Sequence, residues 1–365
     1  MSKIFSFESP HIKPLPSPFV VKKEFPATKE QLNLIQETRS QLIRILNKED
    51  SRLLLIVGPC SIHDIKAAKE YALKLQKLSE RLSKHFLILL RTYFEKPRTS
   101  RGWKGMLYDP HLDGSNDIAT GLRRSRELLL WLAKIGLGTA TEFLDPISAQ
   151  YLGDLISWAC VGARTVESQI HRQFASGLPM PISFKNGTSG RIDVAINGVL
   201  TALDPHTFFG VNETGNLSII QTQGNPHAHI SLRGGMNQPN YDEASITMAL
   251  EQLQKHNLPQ RLIVDCSHDN SSRNYEKQGF VFRSVIEQYA KGNAGIRGLI
   301  LESHLFSGNQ TLSNNGSGLK YAVSLTDPCL DWDTTEELIE WAASKLKGIQ
   351  DKASEESTQE ALCVE

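Results

Sequence analysis

Eight short apolar runs, each followed by a longer amphipathic stretch, constrain the fold of this chain more than any other feature. The runs fall at 53–57, 86–91, 138–142, 158–162, 181–185, 229–233, 261–265 and 296–302. Helical spacing of apolar residues marks 64–83, 115–135, 166–176, 191–202, 241–256 and 273–290 between them, and 334–347 after the last. Short apolar strands separated by helices imply parallel pairing with both sheet faces covered. Eight such units in about 300 residues fit a closed (β/α)8 barrel of the TIM type better than an open doubly wound sheet.

Two departures from that repeat are expected. The segment FFGVNETGNLSIIQTQ (208–223) alternates around a Thr-Gly-Asn turn and reads as an inserted β-hairpin. Ahead of the barrel, Leu32, Ile35, Leu42, Ile45 and Leu46 mark a helix, whereas residues 1–28 are proline-rich and aperiodic, an arm that only a partner surface would order. The expected organisation is an N-terminal arm and helix over 1–50, a barrel over 51–350 with its hairpin insertion at about 206–223, and a polar tail over 351–365.

Forty basic residues balance forty acidic ones, so no overall field draws the chain to nucleic acid or an anionic membrane, and any anion site must be local. No apolar run approaches the roughly 20 residues that cross a bilayer, and the N-terminus lacks a secretion signal. The five cysteines are odd in number and lack framework spacing, which fits free thiols in the cytoplasm.

Barrel enzymes build their active sites at the C-terminal strand ends. Here the eight strands end at or near Cys60, Arg91, Glu142, Arg164, Lys185, Arg233, His268 and Glu302. Any one of these is an ordinary cap or surface group, but eight on one rim are expensive to desolvate unless they bind something charged. Arg91, Lys96, Arg98, Arg164, Lys185 and Arg233 put six cations around one mouth, enough for two phosphate groups, with Thr99 and Ser100 adding hydroxyl donors.

Cys60, His268 and Glu302 come from strands that become neighbours when the barrel closes, and Asp327 follows the last strand. Sulfur, imidazole and carboxylate together suit a divalent transition metal, although the same residues also allow a nucleophilic Cys/His pair. His227 and His229 enter the sixth strand at its opposite end and read as structural. FKNGTSG is not a dinucleotide fingerprint.

At these residues the sequence resembles the type I, alpha-subclass 3-deoxy-D-arabino-heptulosonate 7-phosphate (DAHP) synthases. GPCSIHD, YFEKPRTSRGWKG, GARTVESQIHR, FKNGTSG, LRGG, DCSHDNS and ESHLFSGNQ stand in that family's order, and the likeness spans about residues 50–347. It implies a barrel that condenses phosphoenolpyruvate with erythrose 4-phosphate, using manganese, iron, cobalt or zinc. By motif match the metal ligands would be Cys60, His268, Glu302 and Asp327. Phosphoenolpyruvate would fall to Arg91, Lys96, Glu142, Gly162, Ala163, Arg164, Lys185 and Arg233. The aldose phosphate would fall to Lys96, Pro97, Arg98 and Thr99. Lys96, Lys185, His268 and Glu142 are the implied catalytic groups.

The resemblance also implies a homodimer or homotetramer inhibited by an aromatic amino acid near the hairpin and a neighbouring subunit's arm. The matching positions are Pro146, Gln150, Leu178, Pro179, Phe208, Gly210 and Ile220. QTQGNP and DPISAQYLGDL look more like tyrosine-sensitive members than phenylalanine-sensitive ones. Two other readings stay open: a synthase using another aldose phosphate, and a catalytically silent protein that binds a phosphorylated metabolite.

Overall fold

The structure, a computed structural model, describes residues 12–312 and 318–362. Eight parallel strands close into a barrel: β1 (Leu53–Gly58), β2 (Phe86–Arg91), β3 (Thr139–Glu142), β4 (Trp158–Val161), β5 (Ile182–Lys185), β8 (His229–Leu232), β9 (Leu262–Asp265) and β10 (Ile296–Glu302). The remaining two strands, β6 (Thr207–Val211) and β7 (Leu217–Gln221), form the antiparallel hairpin between β5 and β8, with Phe208 opposite Ile220 and Gly210 opposite Ser218. β1 pairs with both β2 and β10, so the ring has no open edge.

Helices start where a side chain can satisfy free backbone N–H groups. Asp64 accepts from Lys66 N and Ala67 N at the head of α3 (Ile65–Arg81), Asp117 from Thr120 N at α4 (Ile118–Lys134), and Asp242 from Ser245 N at α8 (Glu243–Lys255). α5 (Ser148–Leu152), α6 (Gln169–Ala175), α7 (Asp193–Leu203) and α9 (Gln278–Ala290) complete the outer layer with α10 (Trp332–Leu362).

Ahead of the barrel lie α1 (Pro18–Glu24) and α2 (Lys29–Leu46), the latter opened by a reciprocal Thr28–Gln31 capping box. Leu42 of α2 joins the cluster that fills the barrel interior, which includes Leu54, Ile56, Leu89, Ala140, Trp158, Ile263 and Ile300. Arg297 Nε donates to Ile45 O at 2.7 Å, fastening the same helix to β10. α2 therefore closes the end of the barrel opposite the strand C-termini.

Two expectations need correcting. Residues 12–28 are ordered on their own chain, not as an arm awaiting a partner. Ser17 caps α1, Pro18 stands in its first turn, and Val21 is fully buried. Tyr151 Oη donates to Pro16 O at 2.8 Å, Arg126 Nε to Phe25 O at 2.9 Å, and Phe19 N to Glu213 O at 2.8 Å. Proline density concealed a short helix whose anchors are remote in sequence. The last helix also runs on to Leu362 instead of ending at 347, as the Ala, Glu and Gln residues of the stretch beyond Gly348 favour. Residues 1–11 of the expected arm and 363–365 of the expected tail lie outside the described residues.

Candidate active site

Parallel register delivers the strand ends to one rim. Gly58 pairs with Glu302, so the turn after β1 sets Cys60 against the end of β10. Gly58 has φ +146°, and an added Cβ there would lie 3.0 Å from Leu90 Cδ1, so only glycine makes this exit.

Cys60, Glu302 and Asp327 each bring a donor atom within 4.8 Å of the others. His268 Nε2 stands 3.9 Å from Glu302 Oε1, just outside that triangle, and His268, Glu302 and Asp327 line a common pocket. On its other side, His268 Nδ1 faces Asp265 Oδ2 at 3.1 Å and Ser267 Oγ at 2.7 Å, which directs the Nε2 lone pair toward the cluster. The His268 backbone is left-handed (φ 60°). Lys96 Nζ lies 2.7 Å from Cys60 Sγ and 3.1 Å from Asp327 Oδ2. Burial, with Glu302 adding, pushes the Cys60 thiol up to about 12, and Lys96 holds Asp327 well below the usual carboxylate range. A thiol and two carboxylates gathered around one ammonium, with an imidazole at their edge, match the donor chemistry of a divalent transition metal.

Beside this cluster Arg91, Lys96, Pro97, Glu142, Gly162, Ala163, Arg164, Lys185 and Arg233 line one narrow cleft with His268 and Glu302. Arg91 is fully buried over the Tyr93 ring, and its Nη2 donates to Glu302 Oε1 at 3.0 Å. Arg91 Nη1 and Glu142 Oε1 are buried without a hydrogen-bond partner. Unpaired buried polar atoms are costly, and here a cation and a carboxylate oxygen carry that cost in one cleft. An added Cβ at Gly162 would lie 2.0 Å from Glu142 Oε1, so glycine makes room for that carboxylate. Arg164 Nη2 donates to Thr99 Oγ1 at 2.9 Å, drawing the Lys96–Thr99 loop over the cleft. Arg98 instead faces an adjoining cleft with Trp103, Lys104 and Asn309.

Sequence reasoning missed the buried counter-charges. Asp265 ends β9 and accepts from Lys185 Nζ at 2.7 Å. Although burial opposes it, Lys185 and His268 hold its carboxyl well below the usual range. Asp269 accepts from Arg233 Nη1 at 2.8 Å, and Asn186 Oδ1 from Arg233 N at 2.8 Å. The strand-end rule would have found Asp265, which is the last residue of its strand. Glu95 was also missed: buried next to Lys96, it accepts from Asp145 N at 3.0 Å and Ser148 Oγ at 2.8 Å. His229 is structural, as expected, accepting from Trp158 Nε1 at 3.1 Å at the far end of the barrel.

The seven positions near the hairpin also come together. Pro146, Gln150, Leu178, Pro179, Phe208, Gly210 and Ile220 all line one open cavity of about 1120 Å³ between α2, α5 and the hairpin, with Lys22 of α1 at its wall.

A closed parallel barrel with charged groups concentrated at its C-terminal rim is the architecture of a (β/α)8-barrel enzyme. Comparison with known proteins narrows this. The sequence profile of the DAHP synthetase I family matches residues 24–340. The Tyr-sensitive phospho-2-dehydro-3-deoxyheptonate aldolase of Salmonella typhimurium (strain LT2) is 46% identical over 334 residues, 92% of this chain and 94% of that one. The Phe-sensitive enzyme of Escherichia coli (strain K12) is 47% identical over 336 residues, 92% and 95% of the two chains. A solved phospho-2-dehydro-3-deoxyheptonate aldolase from Francisella tularensis SCHU S4 superposes with a TM-score of 0.90 at 40% identity, covering 93% of this chain and 99% of that one. The chain belongs to the DAHP synthetase I family.

Proposed function

We propose that this protein catalyses the metal-dependent aldol-type condensation of phosphoenolpyruvate with D-erythrose 4-phosphate and water. The products are 3-deoxy-D-arabino-heptulosonate 7-phosphate and inorganic phosphate, in the first step of the shikimate pathway. Family membership supports the reaction class. The observation that carries the reading is the pair of unpartnered buried atoms, Arg91 Nη1 and Glu142 Oε1, in a cleft that adjoins the Cys60, Glu302 and Asp327 cluster.

In this reading Arg91, Arg164, Lys185 and Arg233 hold the phosphate and carboxylate of phosphoenolpyruvate, replacing its hydration with fixed donors. Lys96 and Pro97 in the cleft, with Thr99 above it and Arg98 at the adjoining cleft, receive the aldose phosphate, and the Lys96 ammonium meets negative charge growing on the aldehyde oxygen as C3 attacks. Cys60, His268, Glu302 and Asp327 hold a divalent ion, which when bound supplies Lewis acidity at that oxygen. Attack leaves C2 cationic. Glu142 Oε1 then orients the water that adds to C2, and the hemiketal phosphate collapses with carbon–oxygen cleavage. Manganese, iron, cobalt and zinc all satisfy this donor set.

The hairpin cavity is the site we assign to an aromatic amino acid, tyrosine first. Gln150, Gln221 and Gln223 on its wall offer amide partners for a phenolic hydroxyl. Phe209, Leu217 and Ile219 on the hairpin are 85%, 78% and 72% exposed, which supports a homodimer or homotetramer that covers them. No helix among the described residues is long and apolar enough to cross a membrane, and a cytoplasmic location is part of the same reading.

The deciding assay measures phosphate release from phosphoenolpyruvate with erythrose 4-phosphate, with and without chelator, and repeats it with each aromatic amino acid. We expect chelator-sensitive turnover that tyrosine suppresses. Turnover with arabinose 5-phosphate alone overturns the substrate assignment, and metal content unchanged in Cys60→Ala overturns the ligand assignment.

A further inference from the structure

We propose that Asp265 is a positioning residue shared by the two halves of this site, setting the metal half through His268 and the phosphoenolpyruvate half through Lys185. The inference rests on the function proposed above. Asp265 ends β9 and Lys185 ends β5, with only β8 between them, so alternate strands present both side chains to the same layer of the barrel.

The Asp265 carboxylate is fully buried. Oδ1 accepts from Ser267 N at 3.1 Å and Ser267 Oγ at 2.6 Å, while Oδ2 faces Lys185 Nζ at 2.7 Å and His268 Nδ1 at 3.1 Å. Three hydrogen bonds and the His268 Nδ1 contact surround its two oxygens, and the fully buried Asp265 is left no open face for substrate or metal. It acts through its neighbours. With the Ser267 hydroxyl proton given to Oδ1, the single Nδ1–H of His268 is shared between Ser267 Oγ and Asp265 Oδ2, which fixes the tautomer whose Nε2 is free to ligate.

One oxygen, Oδ2, serves both halves. When Nε2 gives its lone pair to a cation, the Nδ1–H group becomes a stronger donor and draws more of the charge on Oδ2. The hold on the Lys185 ammonium slackens, and Lys185 is freed to meet the incoming phosphate. Metal binding therefore tightens phosphoenolpyruvate binding, and Asp265 carries that coupling.

The test titrates manganese(II) into metal-stripped full-length enzyme, with and without phosphoenolpyruvate, for wild type, Asp265→Asn and Cys60→Ala. In folded Asp265→Asn we expect manganese affinity to fall about 10- to 100-fold. Phosphoenolpyruvate affinity of the metal-free variant rises toward that of manganese-loaded wild type and no longer responds to manganese, while KM for erythrose 4-phosphate stays near wild type, a split that general loosening of the barrel does not produce. Unchanged manganese affinity, or intact coupling, overturns the proposal. Should Asp265→Asn fail to fold, Ser267→Ala carries the test, with a smaller loss of manganese affinity expected and an unchanged value overturning the proposal. Loss of manganese in Cys60→Ala but not in Asp265→Asn sinks only this inference. Retention in both sinks the metal assignment itself.

Discussion

Glu95 provides a pH-dependent test of the packing behind the active-site loop. Its carboxylate is 3% exposed; Oε1 accepts from Asp145 N and Tyr108 Oη, Oε2 from Leu144 N and Ser148 Oγ. Burial, helped by the Asp145 carboxylate, pushes its pKa from 4.5 up to about 7 against the pull of these donors. The folded state therefore keeps a proton that the unfolded chain releases between those two values. The stability this contributes is fully present below pH 4.5 and is lost as pH rises through 7. A shift of about 2.5 units at 1.36 kcal/mol each corresponds to about 3 kcal/mol. Glu95→Gln removes the titration and loses about 1 kcal/mol of hydrogen bonding at every pH. Denaturant unfolding of both proteins at steps from pH 4.5 to 8 isolates the residue, because the buried histidines titrate equally in both. Wild type should be the more stable at pH 4.5, and the difference should shift by about 3 kcal/mol by pH 8, leaving Glu95→Gln the more stable by about 2 kcal/mol. Parallel curves would refute the reasoning. The outcome bears on both sites, since the turn Glu95 holds includes Asp145 and Pro146 of the hairpin cavity while Lys96 lines the catalytic cleft.

Other substitutions probe the same framework. Gly162→Ala places a methyl group 2.0 Å from Glu142 Oε1 and swings that carboxylate out of the cleft. kcat/KM should fall on the order of 100-fold, and unchanged kinetics would remove Glu142 from the mechanism. Arg126→Ala strips donors from Phe25 O, Tyr151 O and Asp154. We expect a loss of about 3 kcal/mol in thermal unfolding and earlier proteolysis near α1. Leu42→Ala opens a void at the closed end of the barrel, for about 3 kcal/mol with kcat unaltered, and a drop in kcat would show that the two ends are not independent.

Much of this protein was legible in its residues one after another. Runs such as LLLIV and FLILL are too short and too apolar to be anything but buried parallel strands once helices separate them, and the barrel follows from their number. That architecture fixes which end of each strand faces the site, so Cys60, Arg91, Glu142, Lys185, Arg233 and Glu302 could be placed on one rim before any coordinates. Tertiary structure decided what those charges do to one another. Asp265 lies 80 residues from Lys185, and Asp269 lies 36 from Arg233, so no local pattern announces either pair. The same holds for α1, whose anchors Tyr151 and Arg126 are more than 100 residues away and whose prolines locally argue against order. Burial and partial charge are properties of the closed barrel: the same carboxylate that is an ordinary acid in an open chain becomes, at Glu95, a group poised near neutrality because water has been removed from around it.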